Sequence, residues 1–232
     1  MTSLKTLWNG EAKPSSQLIY IIIVAGNFFA WLLVSMLLYI SLNSYSMQAN
    51  AMSDLGNPFM NPRGWLFYNI GAISTGILAI PQVRWINRTI GMLSKPVARV
   101  QSMFIAIAAI GLIGVGIFNE TVVYPHVISA ALAFGGLAVD MFLTTVTMAI
   151  QIVLKKPWPR LGDYVVFMAI LYSIGAWMIY KIATNQGGTS GLNIVEWVLF
   201  LGLFAWIIGY VVVIVRTRLP VSAIPKQVDQ ES

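Results

Sequence analysis

Asp140 is a carboxyl placed where a carboxyl is costly. It lies inside HVISAALAFGGLAVDMFLTTVTMAIQ, residues 126–151, a run otherwise almost wholly apolar and long enough to cross a bilayer. As a helix rising about 1.5 Å per residue, that run puts Asp140 about 21 Å from His126 and about 22 Å from Lys155, near the bilayer midplane. A charge at that depth costs at least about 2.5–3.5 kcal/mol. Projected at about 100° per residue, Ser129, Gly136, Asp140, Thr144, Thr147 and Gln151 lie within about 40° of a common direction, with His126 joining them at one end. Two roles fit this stripe. It can line a path for a proton or cation, with Thr144, Thr147 and Gln151 on one side of Asp140 and Ser129 and His126 on the other. Alternatively it is a packing face, on which Gly, Ser and Thr are expected. Packing explains the small residues and explains the acid poorly. Apart from Lys181 at the very end of the fifth, the predicted spans contain no Lys or Arg to pair with Asp140, so the neutral acid is favoured. Asn27 and Asn69 are its candidate hydrogen-bond partners.

A second set of polar residues lies at the expected ends of helices. It comprises Ser53-Asp54-Leu55-Gly56-Asn57, then Asn119-Glu120, then Tyr124-Pro125-His126. Asp54 or Glu120 with His126 could do general acid–base work, with Ser53 near enough in sequence to be activated. The plainer alternative has Asp54 organising a turn, Asn119 or Glu120 ending one helix, and His126 opening the next. Cysteine is absent and His126 is the lone histidine, so a thiol nucleophile and a thiolate metal site are impossible and no metal is expected. No phosphate loop, dinucleotide fingerprint, haem-ligand pair or hydrolase elbow is present, and no cofactor is expected.

The elements that must hold these residues are set by composition. Of 232 residues, 58% are hydrophobic and 9% charged, against about 25% charged in a soluble domain. Mean hydropathy is +0.77. The chain reads as all-α, one polytopic bundle of six transmembrane helices, because hydrocarbon tolerates no unpaired backbone and strand alternation is missing. The spans are expected at 18–42, 65–80, 103–118, 127–152, 165–182 and 194–215, between a terminal segment 1–17 and a tail 216–232. The first is too long, and lacks the small-residue ending, for a signal peptide. Asn57-Pro58 and Asn61-Pro62 mark turns between the first two spans. Pro81 closes the second span or kinks it. Residues 82–101, with Arg84, Arg88, Lys95 and Arg99 among Trp85, Ile86, Ile90 and Met92, read as an interfacial amphipathic segment. Residues 185–191 read as a flexible loop.

The net charge of +6 is accounted for by topology and not by nucleic acid. With six spans, one side of the membrane receives 12 of the 14 Lys and Arg, leaving Arg63 and Lys181 on the other. That asymmetry puts both termini in the cytoplasm of a multi-pass cell-membrane protein, with membrane lipids and other membrane-protein subunits as its expected partners. Trp8, Trp65, Trp85 and Trp158 sit beside predicted span ends, as interfacial aromatics do.

The pattern SDLG followed by Asn-Pro and LFYNIGAI, and then GIFNE with PHVISAALAF, resembles a family of uncharacterised prokaryotic membrane proteins (domain of unknown function 998). It is more distantly similar to the eukaryotic Frag1/DRAM/Sfk1 group. Ser53, Asp54, Gly56, Asn57, Asn69, Gly116, Phe118, Glu120, His126 and Ala130 carry the resemblance. This chain has Asn119 where such families often have Pro. The resemblance implies a six-helix bundle, no established activity, and links to lipid handling by analogy alone. Three classes of function follow, in order: a non-enzymatic lipid-binding or accessory membrane module, a small proton-coupled transporter or channel using Asp140, and a membrane enzyme acting on a head group with Asp54, Glu120 and His126.

Overall fold

The computed structural model describes residues 3–91, 94–154, 161–184 and 188–216, which are all-helical and without strands. A short α1 (Leu4–Trp8) precedes α2 (Pro14–Ile40), and a 3-10 turn (Ser53–Gly56) leads to α3 (Trp65–Leu78) and α4 (Ile80–Gly91). Then come α5 (Lys95–Ile117), α6 (Val123–Val153), α7 (Leu161–Thr184) and α8 (Gly188–Arg216). Pro14 and Pro96 stand in the first turns of α2 and α5, where a missing N–H removes no helical bond. Among the described residues, five helical stretches are long and apolar enough to cross a membrane: Pro14–Ile40, Trp65–Thr89, Lys95–Ile117, Val123–Val153 and Asn193–Arg216. Their outward faces are apolar too. On α6 the side away from the stripe exposes Ile128, Val139, Phe142 and Val146, with Phe142 65% exposed. A belt of that kind calls for lipid as its solvent.

Small residues bring the helices together. On α5, a Cβ at Gly111 would strike the Ala133 amide nitrogen of α6, and one on Gly136 of α6 would lie 2.8 Å from the Phe104 carbonyl oxygen. A Cβ on Gly76 of α3 would lie 2.7 Å from the Ala109 carbonyl oxygen of α5. Such contacts supply close packing where no hydrophobic effect acts between helices. Two buried clusters result. One gathers Phe28, Leu32, Tyr39, Leu55, Tyr68, Trp197 and Phe200 under the loop joining α2 to α3. The other gathers Ile21, Trp85, Ile86, Ile105, Met148, Tyr210 and Ile214 at the opposite end.

Several expectations need correcting. Of the two roles expected for Pro81, the kink holds and the closure does not: α3 ends at Leu78, α4 begins at Ile80 with Pro81 in its first turn, and the stretch runs on to Thr89. The segment after Pro81 is not interfacial on its apolar side. Trp85 and Ile86 are each 1% exposed, and the Trp85 indole donates to the Ala12 carbonyl oxygen at 3.0 Å. Arg84 lies over the Trp8 ring, 5.4 Å from its centroid, and Arg88 pairs with Glu11 at 3.2 Å. Thus the N-terminal segment covers α4, and Trp85 is a core residue instead of an interfacial one. Lys95 and Arg99 belong to α5. Of the expected loop 185–191, residues 188–191 are helical in α8. The basic turn with Lys155, Lys156, Trp158 and Arg160, and the tail beyond Arg216, lie outside the described residues.

Candidate functional site

The loop between α2 and α3 is a folded cap. Asn61 is fully buried; its amide donates to Ser35 Oγ at 2.9 Å and to the Leu55 carbonyl oxygen at 2.9 Å, and its Oδ1 accepts from Gly64 N at 3.0 Å. Asn57 Oδ1 accepts from Phe59 N at 2.9 Å, the local turn that an Asn-Pro pair favours. Gly56 is required by proximity, since a Cβ there would lie 2.6 Å from both Asn69 Oδ1 and Tyr68 Cδ1.

This cap brings three carboxyl groups to one end of the bundle. Asp54 Oδ2 accepts from Ala51 N at 3.0 Å and from the Asn50 amide at 3.4 Å. The Asn57 amide donates to Glu120 Oε2 at 3.3 Å, which ties the α5–α6 loop to the cap. Glu196, in the first turns of α8, accepts from Met52 N at 3.2 Å and from the Ser53 hydroxyl at 3.5 Å. Asp54 is raised above the usual carboxylate range, first by burial and then by the Glu120 charge and hydrogen bond. Asp54 and Glu120 therefore lie near enough to interact. His126 is not hydrogen-bonded to either. Its Nδ1 donates to the Phe118 carbonyl oxygen at 2.7 Å, and Asn119 turns the chain by accepting from Thr121 N at 3.0 Å.

His126, Ser53 and Glu196 border a cavity of about 120 Å³. It runs down between α2, α3, α5, α6 and α8 as far as Gln82 on α4, walled by Phe28, Leu112, Ala130, Phe134, Phe200 and Phe204 among others. From Glu196 to Ile207 on α8 the lining spans about 16 Å of helix. Tyr68 stands in its wall, 3% exposed, in the field of Glu196 and Glu120. Its hydroxyl makes no hydrogen bond among the described residues. Glu196 is the site residue that sequence reasoning missed. The available signal was an acid near the start of an otherwise apolar run.

The stripe on α6 is buried throughout: Ser129, Gly136, Asp140, Thr144, Thr147 and Gln151 all face inward. Ser129 and Gly136 pack on α5, and Thr144 Oγ1 accepts from the Gln101 amide at 2.6 Å. Asp140 is 1% exposed and lies one turn beyond Leu137, a lining residue of the cavity. The expected hydrogen bond to another helix is not made. Asp140 Oδ1 is enclosed and unpartnered, while Asn27 bonds Ser74 and Thr75 and Asn69 bonds Gly56. Those two asparagines are held by the α2–α3 contact and by the cap, on elements other than the α5 and α8 surfaces around Asp140. Tyr210 on α8 is the hydroxyl that feels its charge. Gln101 Oε1 is a second buried acceptor without a partner.

Long apolar helices, an apolar outer belt and an internal cavity with a polar end define a multi-pass helical membrane protein. The chain belongs to the family described as "Protein of unknown function (DUF998)", whose model matches residues 23–213. No curated protein and no solved structure matches the chain, so the more distant likeness to the Frag1/DRAM/Sfk1 group has no finding behind it.

Proposed function

We propose that the protein is a non-enzymatic module of the cell membrane that binds a lipid chain inside its bundle, alone or as an accessory subunit. The observation that carries this reading is the cavity: about 120 Å³, lined mostly by apolar side chains, with Ser53, Glu196 and His126 at the cap end and Thr75 and Gln82 farther down. Concave apolar sites with a few convergent polar groups are the usual form of a small-ligand site. The proposal extends to topology. Helix α7, with 24 residues, serves as a sixth span, and both termini face the cytoplasm. The test is photocrosslinking of the full chain, in nanodiscs, with a phospholipid bearing a diazirine in its acyl chain. Crosslinks should map to the cavity walls and be lost in Ala130→Trp, which fills it. Crosslinks confined to the outer belt, unchanged in that variant, would refute lipid binding inside the bundle.

A second reading has one observation in its favour, the unpartnered Asp140 one turn past the cavity. In it, Asp140 takes up a proton or cation, with Thr144, Thr147 and Gln151 leading away. Loss of proton-coupled flux in Asp140→Asn liposomes, with the fold intact, would support it. The enzyme reading lacks support of this kind, since among the described residues His126 bonds the Phe118 carbonyl oxygen and neither Asp54 nor Glu120.

A further inference from the structure

We infer that the occupant of the cavity is a cationic amphiphile, its ammonium group held at the mouth by Glu196 beside Tyr68, with Glu120 adding negative charge from behind the lining. The inference rests on the lipid-binding reading and specifies the head group. Asp54, Glu120 and Glu196 come from three separate segments, yet no Lys or Arg neutralises them. Among the described residues the ion pairs are Arg88–Glu11 and Arg216–Asp163, both outside this site. Half-buried carboxyl groups of like charge, drawn together without a counter-ion, favour an external positive charge or protons.

Tyr68 is the independent observation. It is 3% exposed, borders the cavity, stands in the field of two of the acids, and its hydroxyl makes no hydrogen bond among the described residues. An aromatic face beside carboxylates is how proteins hold quaternary and primary ammonium groups. A metal ion is a poor occupant, because among the described residues no three His, Asp or Glu side chains converge closely enough to ligate one. An organic cation is larger and is held by charge and ring faces at longer range. Beside Tyr68 the wall is aromatic, with Phe28 packed 6.0 Å from the Tyr68 ring and 4.8 Å from Phe200, which suits a chain.

The test compares four probes on the full chain in a neutral glycoside detergent: dodecyltrimethylammonium, dodecyl sulfate, monolaurin and tetramethylammonium. Each is titrated against melting temperature. Dodecyltrimethylammonium should bind most tightly, and Glu196→Gln should weaken it by about tenfold or more, the size expected of one desolvated charge contact. The same variant should keep its own melting point and its affinity for monolaurin, which shows that it still folds and keeps the cavity; Glu120→Gln gives an independent second variant. Equal binding of dodecyl sulfate or monolaurin overturns the cationic assignment and leaves the lipid-binding reading standing. Equal binding of tetramethylammonium, which has no chain, overturns the amphiphile. Failure of every chain-bearing probe, with photocrosslinks absent as well, overturns both.

Discussion

Asp140 and Asp54 are two acids with opposite consequences for stability. Asp140 Oδ1 is enclosed without a partner, and an unsatisfied buried polar atom costs about 1–3 kcal/mol. Asp140→Val, the nearest apolar shape, should therefore raise stability by about that amount, as read by denaturation in detergent. Asp140→Asn, which keeps the polar group, should leave stability unchanged. A loss of stability in the valine variant would mean that the acid holds the fold and is not retained for another purpose. Asp54 is different, because its pKa is raised from 3.8 by burial and by Glu120. A carboxyl raised in the folded state stabilises below its unfolded value of about 3.9, and that stability is lost as pH rises through the folded value. The melting temperature should thus fall as pH is raised from about 4 towards neutrality. Glu120→Gln, which removes the repelling charge and keeps an acceptor for Asn57, should flatten the slope. A profile that is equally steep in that variant would show that Glu120 is not the cause.

At the scale of the elements, the α5–α6 pair shows what a sequence can and cannot disclose. The face of α6 was legible because periodicity alone groups Ser129, Gly136, Asp140, Thr144, Thr147 and Gln151, and all six are buried. Which helix they meet was not, since it depends on Gly111 and Ala133 fitting together, a match of shapes between separate spans. The α4 segment misled for a related reason. Basic residues at helical spacing look interfacial, but Trp85 and Ile86 are covered by the N-terminal segment, some 73 residues away in sequence. The partner of Glu196 was hidden on the same grounds, as its bond to Met52 N closes a loop of 144 residues. The packing makes a sharp prediction from two adjacent glycines. A Cβ on Gly136 would lie 2.8 Å from the Phe104 carbonyl oxygen and 2.9 Å from Ala108 N, whereas one on Gly135 meets nothing within 4 Å. Gly136→Val should destabilise by about 1–3 kcal/mol by forcing α5 and α6 apart. Gly135→Val should cost only its helix propensity, a few tenths of a kcal/mol at most, or gain by removing a glycine. Equal melting temperatures for the two variants would contradict the close α5–α6 approach.

For the whole molecule, the carboxylate end and the basic end of the bundle must face opposite sides of the membrane. The cap with Asp54, Glu120 and Glu196 lies at one end; the cluster of Trp85, Ile86 and Ile214, with Arg84 and Arg88 nearby on α4, lies at the other. On the proposed topology this second end, with Arg84, Arg88, Lys95 and Arg99, faces the cytoplasm, because positive charge holds such segments there. A ligand with an ammonium head would then enter from the outer leaflet, head outwards, with its chain pointing towards Asp140. The cysteine-free chain permits a direct test. Single cysteines placed at Lys5, Pro58, Val122 and Lys226 should divide into two groups under a membrane-impermeant maleimide applied to intact cells. Positions 58 and 122 should label from outside, and positions 5 and 226 only after permeabilisation. Labelling of 5 and 226 from opposite sides would require an odd number of spans and remove α7 from the count. Labelling of 58 from the cytoplasmic side would invert the molecule, so that the acidic mouth draws its ligand from the inner leaflet instead.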